Sequence, residues 1–267
     1  MFSISQANSI FGINNSNKEM DNLNYQITTG KRINRAADDA SGMAIANQLG
    51  TQASGLGQAI RNSNDGISMM NIGDSALQEY SDILQQIRDK TSQAISDTNS
   101  TDSRAALQSD IDALVASAEK ISTQTQYNGI NLLDGTFTNK TLQTGAYSGQ
   151  TTSVSISSVK TADLDIDELD VSDATKAADA LDSIDAAIKS LDSIRGSIGS
   201  TTQGLESRVR NMETTKSNVE AAESQIRDVD DAQAKADLDK WNVRNQASMY
   251  AFNMASQQQS NILRLFQ

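Results

Sequence analysis

The sequence predicts a mainly α-helical protein: an elongated antiparallel helical rod with terminal coiled-coil helices and a small β-hairpin insert. Three observations carry that prediction. Proline is absent from all 267 residues, where average usage of about 5 % would supply roughly thirteen. An interior proline costs a helix about 3 kcal/mol, so its absence suits long helices. Apolar residues recur at alternating steps of three and four through most of the chain. One central stretch loses that period and alternates polar with apolar residues, as a half-buried strand does.

The elements follow in order. The first helix steps through Ile10, Ile13, Asn17, Met20, Asn24 and Ile27. Its two Asn stops read as polar layers that set register. A second helix carries Leu56, Ile60, Ser63, Ile67, Met70, Asp74, Leu77, Ser81 and Leu84, and a third Leu107, Ile111, Leu114, Ala118 and Ile121. Tyr127-Asn128-Gly129 stops that helix, Asn-Gly being a strong turn signal. Leu132 to Gly135 reads as a strand running into a turn, and Thr151 to Val159 as an alternating strand. One or two hairpins are therefore expected near 130–160. From Ala177 a new seam runs through Ile184, Leu191, Ile198, Leu205, Met212, Val219 and Ile226. It keeps its phase through Gln233, Ala236, Lys240, Val243, Ala247, Tyr250, Met254 and Gln257. Breaks are expected at Gln233 or Lys240, or around Gly196–Gly204. The β insert turns the chain back, so the N- and C-terminal helices are expected to pair at one tip.

Composition removes whole classes of function. With no His and no Cys, His-dependent triads, thiol nucleophiles and Cys/His zinc sites cannot be built. Ser117 and Lys120 have S-x-x-K spacing, but the companion S-D-N and K-T-G elements are missing. They read as surface neighbours at i, i+3. The acidic run Asp163 to Asp170 lacks the glycine a calcium loop needs at its sixth position, and reads as a solvated face. No catalytic, metal or cofactor site is expected. A net charge of −12 argues against nucleic acid, which needs a basic footprint. No apolar run approaches the ~20 residues of a membrane span. The N-terminus has no basic n-region or unbroken apolar core, so it does not read as a Sec signal peptide.

Charge is also unevenly distributed. Residues 1–17 carry no charged side chain, and residues 241–267 carry only Arg244 and Arg264. Large apolar groups sit there instead. Ile4, Ala7, Ile10, Phe11 and Ile13 lie at one end; Val243, Ala247, Tyr250, Met254, Ile262, Leu263, Leu265 and Phe266 at the other. Ordinary chain ends are polar and frayed. These are expected to be buried against other copies of the chain, the alternative being that they fold back onto their own domain. The ends are expected to be disordered in the free chain and helical in the polymer. A non-closing contact between identical subunits gives a helical filament. At −12 per subunit, assembly is expected to strengthen with salt.

Specific blocks then carry a resemblance. Ile27-Thr-Thr-Gly-Lys-Arg-Ile-Asn34, followed by Ala36-Ala-Asp-Asp-Ala-Ser-Gly-Met-Ala-Ile45, closely resembles the N-terminal region of bacterial flagellins. Arg61-Asn-Ser-Asn-Asp-Gly-Ile67 is similar to the family's next block. Thr123-Gln-Thr-Gln-Tyr-Asn-Gly129 with Leu132-Leu-Asp-Gly135 resembles the block closing the N-terminal helices. Ser224-Gln-Ile-Arg-Asp-Val-Asp230 and Gln257-Gln-Gln-Ser-Asn-Ile-Leu-Arg-Leu-Phe266 resemble its C-terminal signature.

The resemblance implies a secreted, extracellular filament subunit that forms a helical homopolymer for motility. It implies residues 1–40 and 216–267 as the two halves of an inner coiled-coil domain, the first including a spoke. Residues 41–215 would be an outer helical domain. Residues 136–172 leave room for a β connection but not for large outer domains, so the chain resembles a short form. The implied partners are the type III flagellar export apparatus, an export chaperone on the C-terminal helix, and the filament cap and hook-junction proteins. Arg32, Asn34, Arg35, Asp38 and Asp39 fall at the family's spoke, where inter-layer ion pairs are expected; solvated loop charges are the alternative. In the segment where a vertebrate receptor reads many flagellins, Arg88 is kept beside Ile87. Gln86 stands where Arg is common, and Lys90 where Leu is common, a pattern leaning to the epsilonproteobacterial type. Recognition by that receptor is expected to be weak. Two rival readings are a hook–filament junction protein and a soluble coiled-coil adaptor.

Overall fold

The computed structural model describes residues 4–265, with side chains over 7–258 and 260–261. Its elements are α1 (Ile4–Thr29), α2 (Ala40–Ile95), α3 (Thr101–Gln124), β1 (Gln126–Tyr127), β2 (Ile130–Asn131), β3 (Lys140–Gln143), β4 (Thr151–Val154), a short 3-10 turn (Thr161–Leu164), α4 (Ala174–Arg227) and α5 (Asp231–Leu265). The chain forms two compact units. One comprises the chain up to Thr51 and from Ser217 onward; the other is Gln52–Lys216.

The second unit holds the larger core. From α4, Ala177, Ala180, Ile184, Ala187, Leu191, Ile198 and Leu205 are buried, all of them stops of the predicted seam. They meet Met70, Leu77, Tyr80, Leu84 and Ile87 of α2 and Leu107, Ile111 and Ala118 of α3. Fully burying one large aliphatic side chain contributes about 1.5–3 kcal/mol. The break expected around Gly196–Gly204 does not occur, because α4 is continuous there and Ile198 and Leu205 are buried in the core.

The insert contains two hairpins. β1 and β2 pair antiparallel, Tyr127 opposite Ile130, across Asn128 and Gly129, whose φ angles are 49° and 77°. Both angles are left-handed, as a tight two-residue hairpin turn demands. The strand expected at Leu132–Gly135 is a bend instead. Leu132 and Leu133 are both fully buried, and consecutive residues of a strand point to opposite faces. Asp134 fixes the bend by accepting from the Thr136 amide (3.0 Å), the Thr136 hydroxyl (2.6 Å) and the Asn131 amide side chain (3.0 Å). Those donors favour the ionised carboxyl and hold its pKa down at about 2.

β3 pairs with β4 in the register Lys140↔Val154 to Gln143↔Thr151. The strand expected through Val159 stops at Val154. Beyond it, Ile156 donates to the Phe137 carbonyl (2.9 Å) and Val159 to that of Leu133 (3.0 Å). The hairpin lies on α2 where α2 has glycine: a Cβ at Gly55 would stand 3.2 Å from the Ala146 Cα. That close approach explains a glycine inside a helix, where it costs about 1 kcal/mol relative to Ala.

Helix α3 grips the returning chain at two points. The Glu119 carboxylate accepts from the Thr161 amide (3.0 Å) and hydroxyl (2.9 Å). The Gln108 amide donates to the Leu169 carbonyl (2.7 Å) and accepts from the Val171 amide (2.8 Å).

In the first unit α1 and α5 pack antiparallel. Gly30, at φ 68°, ends α1. The chain is then stitched to the α4–α5 junction. Arg32 N donates to the Arg227 carbonyl (2.7 Å) and Val229 N to the Gly30 carbonyl (3.1 Å), and Lys31 pairs with Asp228. The helix break falls here, at 228–230, rather than at Gln233 or Lys240. The Asp230 carboxylate accepts from the amides of Ala232 (2.9 Å) and Gln233 (3.1 Å), which caps the new helix start. Among the described residues no helix is long and apolar enough to cross a membrane.

Candidate functional site

The break at 228–230 changes which side of the C-terminal helix faces its own chain. Every stop of the predicted seam in α5 is exposed: Gln233, Ala236, Lys240, Val243, Ala247, Tyr250, Met254 and Gln257. Val243, Tyr250 and Met254 are 66 %, 73 % and 68 % exposed. A second stripe, also spaced by threes and fours, faces inward: Ala234, Leu238, Trp241, Asn245, Ser248, Phe252 and Ala255 are buried or half-buried. In α1 the inward side carries Ala7, Ile10, Ile13, Ser16, Met20, Leu23 and Ile27, while Phe11 is exposed.

The seam between the two helices is narrow at the Gly12–Ser248 approach and mixes apolar with polar groups. A Cβ at Gly12 would lie 3.1 Å from the Ser248 hydroxyl, so the backbones approach closely there. Ser16 is buried and donates to the Gly12 carbonyl at 2.8 Å. The Asn245 side chain donates to the Asn17 side-chain carbonyl at 2.7 Å. Asn17 thus meets a polar partner across the pair but is itself exposed, so it is not the buried polar layer its place in the heptad predicts. Asn24 is exposed. Half-buried apolar groups such as Ile10, Ile13, Leu238, Trp241 and Phe252 share the inside of the pair with these small and polar ones, while Phe11, Val243, Tyr250 and Met254 are left exposed.

The predicted end residues therefore divide. Ala7, Ile10 and Ile13 lie half-buried in the pair. Phe11, Val243, Ala247, Tyr250 and Met254 point outward. Phe266 and the side chains of Ile4, Ile262, Leu263 and Leu265 lie outside the described residues.

The spoke residues cluster beside the α4–α5 junction. Arg32 donates through its guanidinium to the Ile226 carbonyl (2.6 Å). Asn34 donates to the Lys31 carbonyl (2.6 Å). The Asp38 carboxylate accepts from the amides of Arg35 (2.9 Å) and Asn34 (3.0 Å), which lowers its pKa. Asp39 accepts from the Gly42 amide (2.8 Å), capping α2. Arg35 lies over the Tyr25 ring, 5.2 Å from its centroid.

In the other unit, Arg88 pairs with Asp185 of α4 at 2.7 Å and Lys90 with Asp110 of α3 at 2.7 Å. Hydrogen bonding to Asp185 raises the Arg88 pKa and lowers that of Asp185. Ile87 is fully buried and Gln86 exposed.

Asn245, Ser248 and Arg227 escaped the sequence reading. The signal for the first two was a second three–four stripe overlapping the more apolar one. Arg227 left no periodic signal; its guanidinium reaches the Ile33 carbonyl (3.3 Å) from 194 residues away.

A folded helical unit and an end helix, α5, that leaves an apolar stripe outward define a self-associating structural protein. Residues 3–138 match the bacterial flagellin N-terminal helical region, and residues 181–266 the bacterial flagellin C-terminal helical region. A flagellin of Halalkalibacterium halodurans is 38 % identical over 258 residues, spanning 95 % of this chain and 92 % of that one. Flagellin A of Helicobacter felis is 50 % identical over 133 residues, which are 50 % of this chain but only 26 % of that longer relative. The crystal structure of a Bacillus cereus flagellin superposes with a TM-score of 0.52 at 27 % identity, over 57 % of this chain and 88 % of that one. The chain belongs to the bacterial flagellin family, which is structural rather than enzymic. It is a structural subunit of the flagellar filament, and it self-polymerises.

Proposed function

We propose that the α1–α5 pair is the polymerisation device of this filament subunit. The outward stripe of α5, centred on Val243, Tyr250 and Met254, carries the reading. In one copy that stripe loses nothing to its own fold. Packed against the same helices of neighbouring copies, each large side chain contributes about 1.5–3 kcal/mol. The apolar groups inside the α1–α5 pair are mostly only half-buried in one copy, which supports end helices that become fully ordered only on assembly. Residues 1–40 and 216–267 would then form the inner domain of the polymer and 41–215 the layer around it. Arg32, Arg35, Asp38 and Asp39 are held by backbone and ring contacts within the chain, and the exposed Arg32, Arg35 and Asp38 would also pair across those layers.

The same stripe suits a chaperone that masks the C-terminal helix before export. Export through the type III flagellar apparatus, folding under a filament cap and attachment to hook-junction proteins complete the proposed route to an extracellular filament. The ion pairs of Arg88 and Lys90 within the chain support weak recognition by the vertebrate receptor.

The test is sedimentation of the purified chain, with filament seeds and a salting-out agent, beside a version truncated after Ala251. The intact chain is expected to pellet as filaments visible by electron microscopy, and more so as salt screens the repulsion of −12 per subunit. Equal pelleting by the truncated chain would overturn the assignment to the end helices.

A further inference from the structure

We propose that Met254 is an oxidation site that controls assembly: a peroxide acting on the unassembled chain converts its thioether to the sulfoxide and blocks polymerisation. The inference rests on the reading of α5 as the polymerisation surface. At roughly 100° per residue, Val243, Tyr250 and Met254 fall within about 40° of one another on α5. Met254 therefore lies on the outward stripe, about 20° from Val243. Met249, 52 % exposed, lies about 120° from Val243 around the helix, off that stripe. The other methionines of the described residues are better covered: Met69, Met70 and Met212 are buried, and Met20 and Met43 half-buried.

The chemistry is a two-electron oxygen transfer. The sulfur lone pair attacks one peroxide oxygen and the O–O bond breaks. The S–O bond forms, and the leaving hydroxide takes a proton and departs as water. Sulfur is oxidised and the peroxide reduced. Sulfoxide replaces a flexible apolar group with a polar one, and burying it on the packing surface of α5 would cost the desolvation of its oxygen. The same packing that the sulfoxide prevents would shield the thioether once the filament has formed. Oxidation therefore acts before assembly and not after it.

The experiment treats the full-length chain and preformed filaments side by side with dilute hydrogen peroxide. Peptide mass spectrometry scores each methionine, and seeded elongation is then measured. Met254 is expected to gain oxygen readily in the free chain and slowly in filaments, while Met69 and Met70 stay reduced in both. Elongation by the oxidised chain is expected to fall about tenfold or more. Peroxide is expected to leave M254L elongating at that variant's own untreated rate, whereas M249L is expected to remain sensitive. Oxidised Met254 with undiminished elongation would overturn the proposal, as would equal oxidation in filaments or sensitivity that persists in M254L. Failure of the untreated chain to elongate at all would instead remove the polymerisation reading, and this proposal with it.

Discussion

Helices α4 and α5 carry one continuous heptad phase, yet they use it oppositely. In the N-terminal half of α4 the stops Ala177, Ile184, Leu191, Ile198 and Leu205 are buried under α2, α3 and the β insert. In α5 the stops Val243, Ala247, Tyr250 and Met254 face away from the chain. A heptad stripe states that a partner is required; it does not state whether the partner is the same molecule. The interruption at 228–230 makes the difference, because Asp230 starts a fresh helix in a new rotational setting. One stripe stabilises the subunit, and the other is left for neighbouring copies.

The most forceful way to break that contrast is to remove packing on the buried side. Leu84→Ala, at a fully buried position, is expected to cost about 2–5 kcal/mol and to lower the thermal midpoint by roughly 5–15 °C. Val243→Ala, on the exposed stripe, is expected to leave the melt of the free chain unchanged. Circular dichroism melts of both variants decide this.

Next comes a charge on the outward stripe. Tyr250→Asp is expected to raise the critical concentration for polymerisation about a hundredfold or more, while the free chain melts as before. Sedimentation across a concentration series measures it. A polymer formed at the original concentration would place the interface elsewhere.

A smaller effect is expected inside the α1–α5 pair. Asn17→Leu leaves the Asn245 amide without its 2.7 Å acceptor. The loss is about 1 kcal/mol, read as roughly fivefold faster hydrogen exchange in α1. Unchanged exchange would remove Asn17 as a register lock.

Acid sharpens the other side. Asp134 and Asp170 both titrate near 2 in the folded chain, against about 3.9 when unfolded. Their ionised forms favour the fold at higher pH, and that contribution is lost as pH falls from about 4 toward 2. Near-UV circular dichroism is expected to report loosening of the insert in that window. The Asp134→Asn variant is expected to flatten the change.

The smallest effect is at Arg88. Its pair with Asp185 is partly exposed on both sides, and such pairs contribute about 0.2–1 kcal/mol. Arg88→Gln is expected to shift the melt by less than about 3 °C, with the shift shrinking further in salt.

Much of the fold was legible from residue order alone. The absence of proline, the three–four spacing and the Asn128-Gly129 turn located the helices and the turn that follows α3, since each acts through local backbone geometry; the hairpin built on that turn, Gln126–Asn131, begins before the 130–160 stretch where strands were expected. Asn17 was readable as a polar stop of α1 because one helix face suffices to show it. Its partner Asn245 was not, because it lies on the less apolar of two overlapping stripes. The bend at Leu132–Leu133 was hidden as well. Alternation can identify a half-buried strand, but two adjacent leucines reach one core only when Asp134 turns the chain. The Glu119 and Gln108 grips on Thr161, Leu169 and Val171 join residues far apart in sequence, and polar side chains on a helix announce no partner.

The sequence by itself determined that this protein is helical, free of thiol and imidazole chemistry, acidic, and furnished with nearly uncharged apolar ends. Those properties follow from side-chain type and spacing, which are local. Only the tertiary structure decided which apolar stripe is spent within the subunit and which is left over. That choice depends on the rotation of α5 after Asp230 and on the close Gly12–Ser248 approach, and both are set by contacts between segments more than two hundred residues apart.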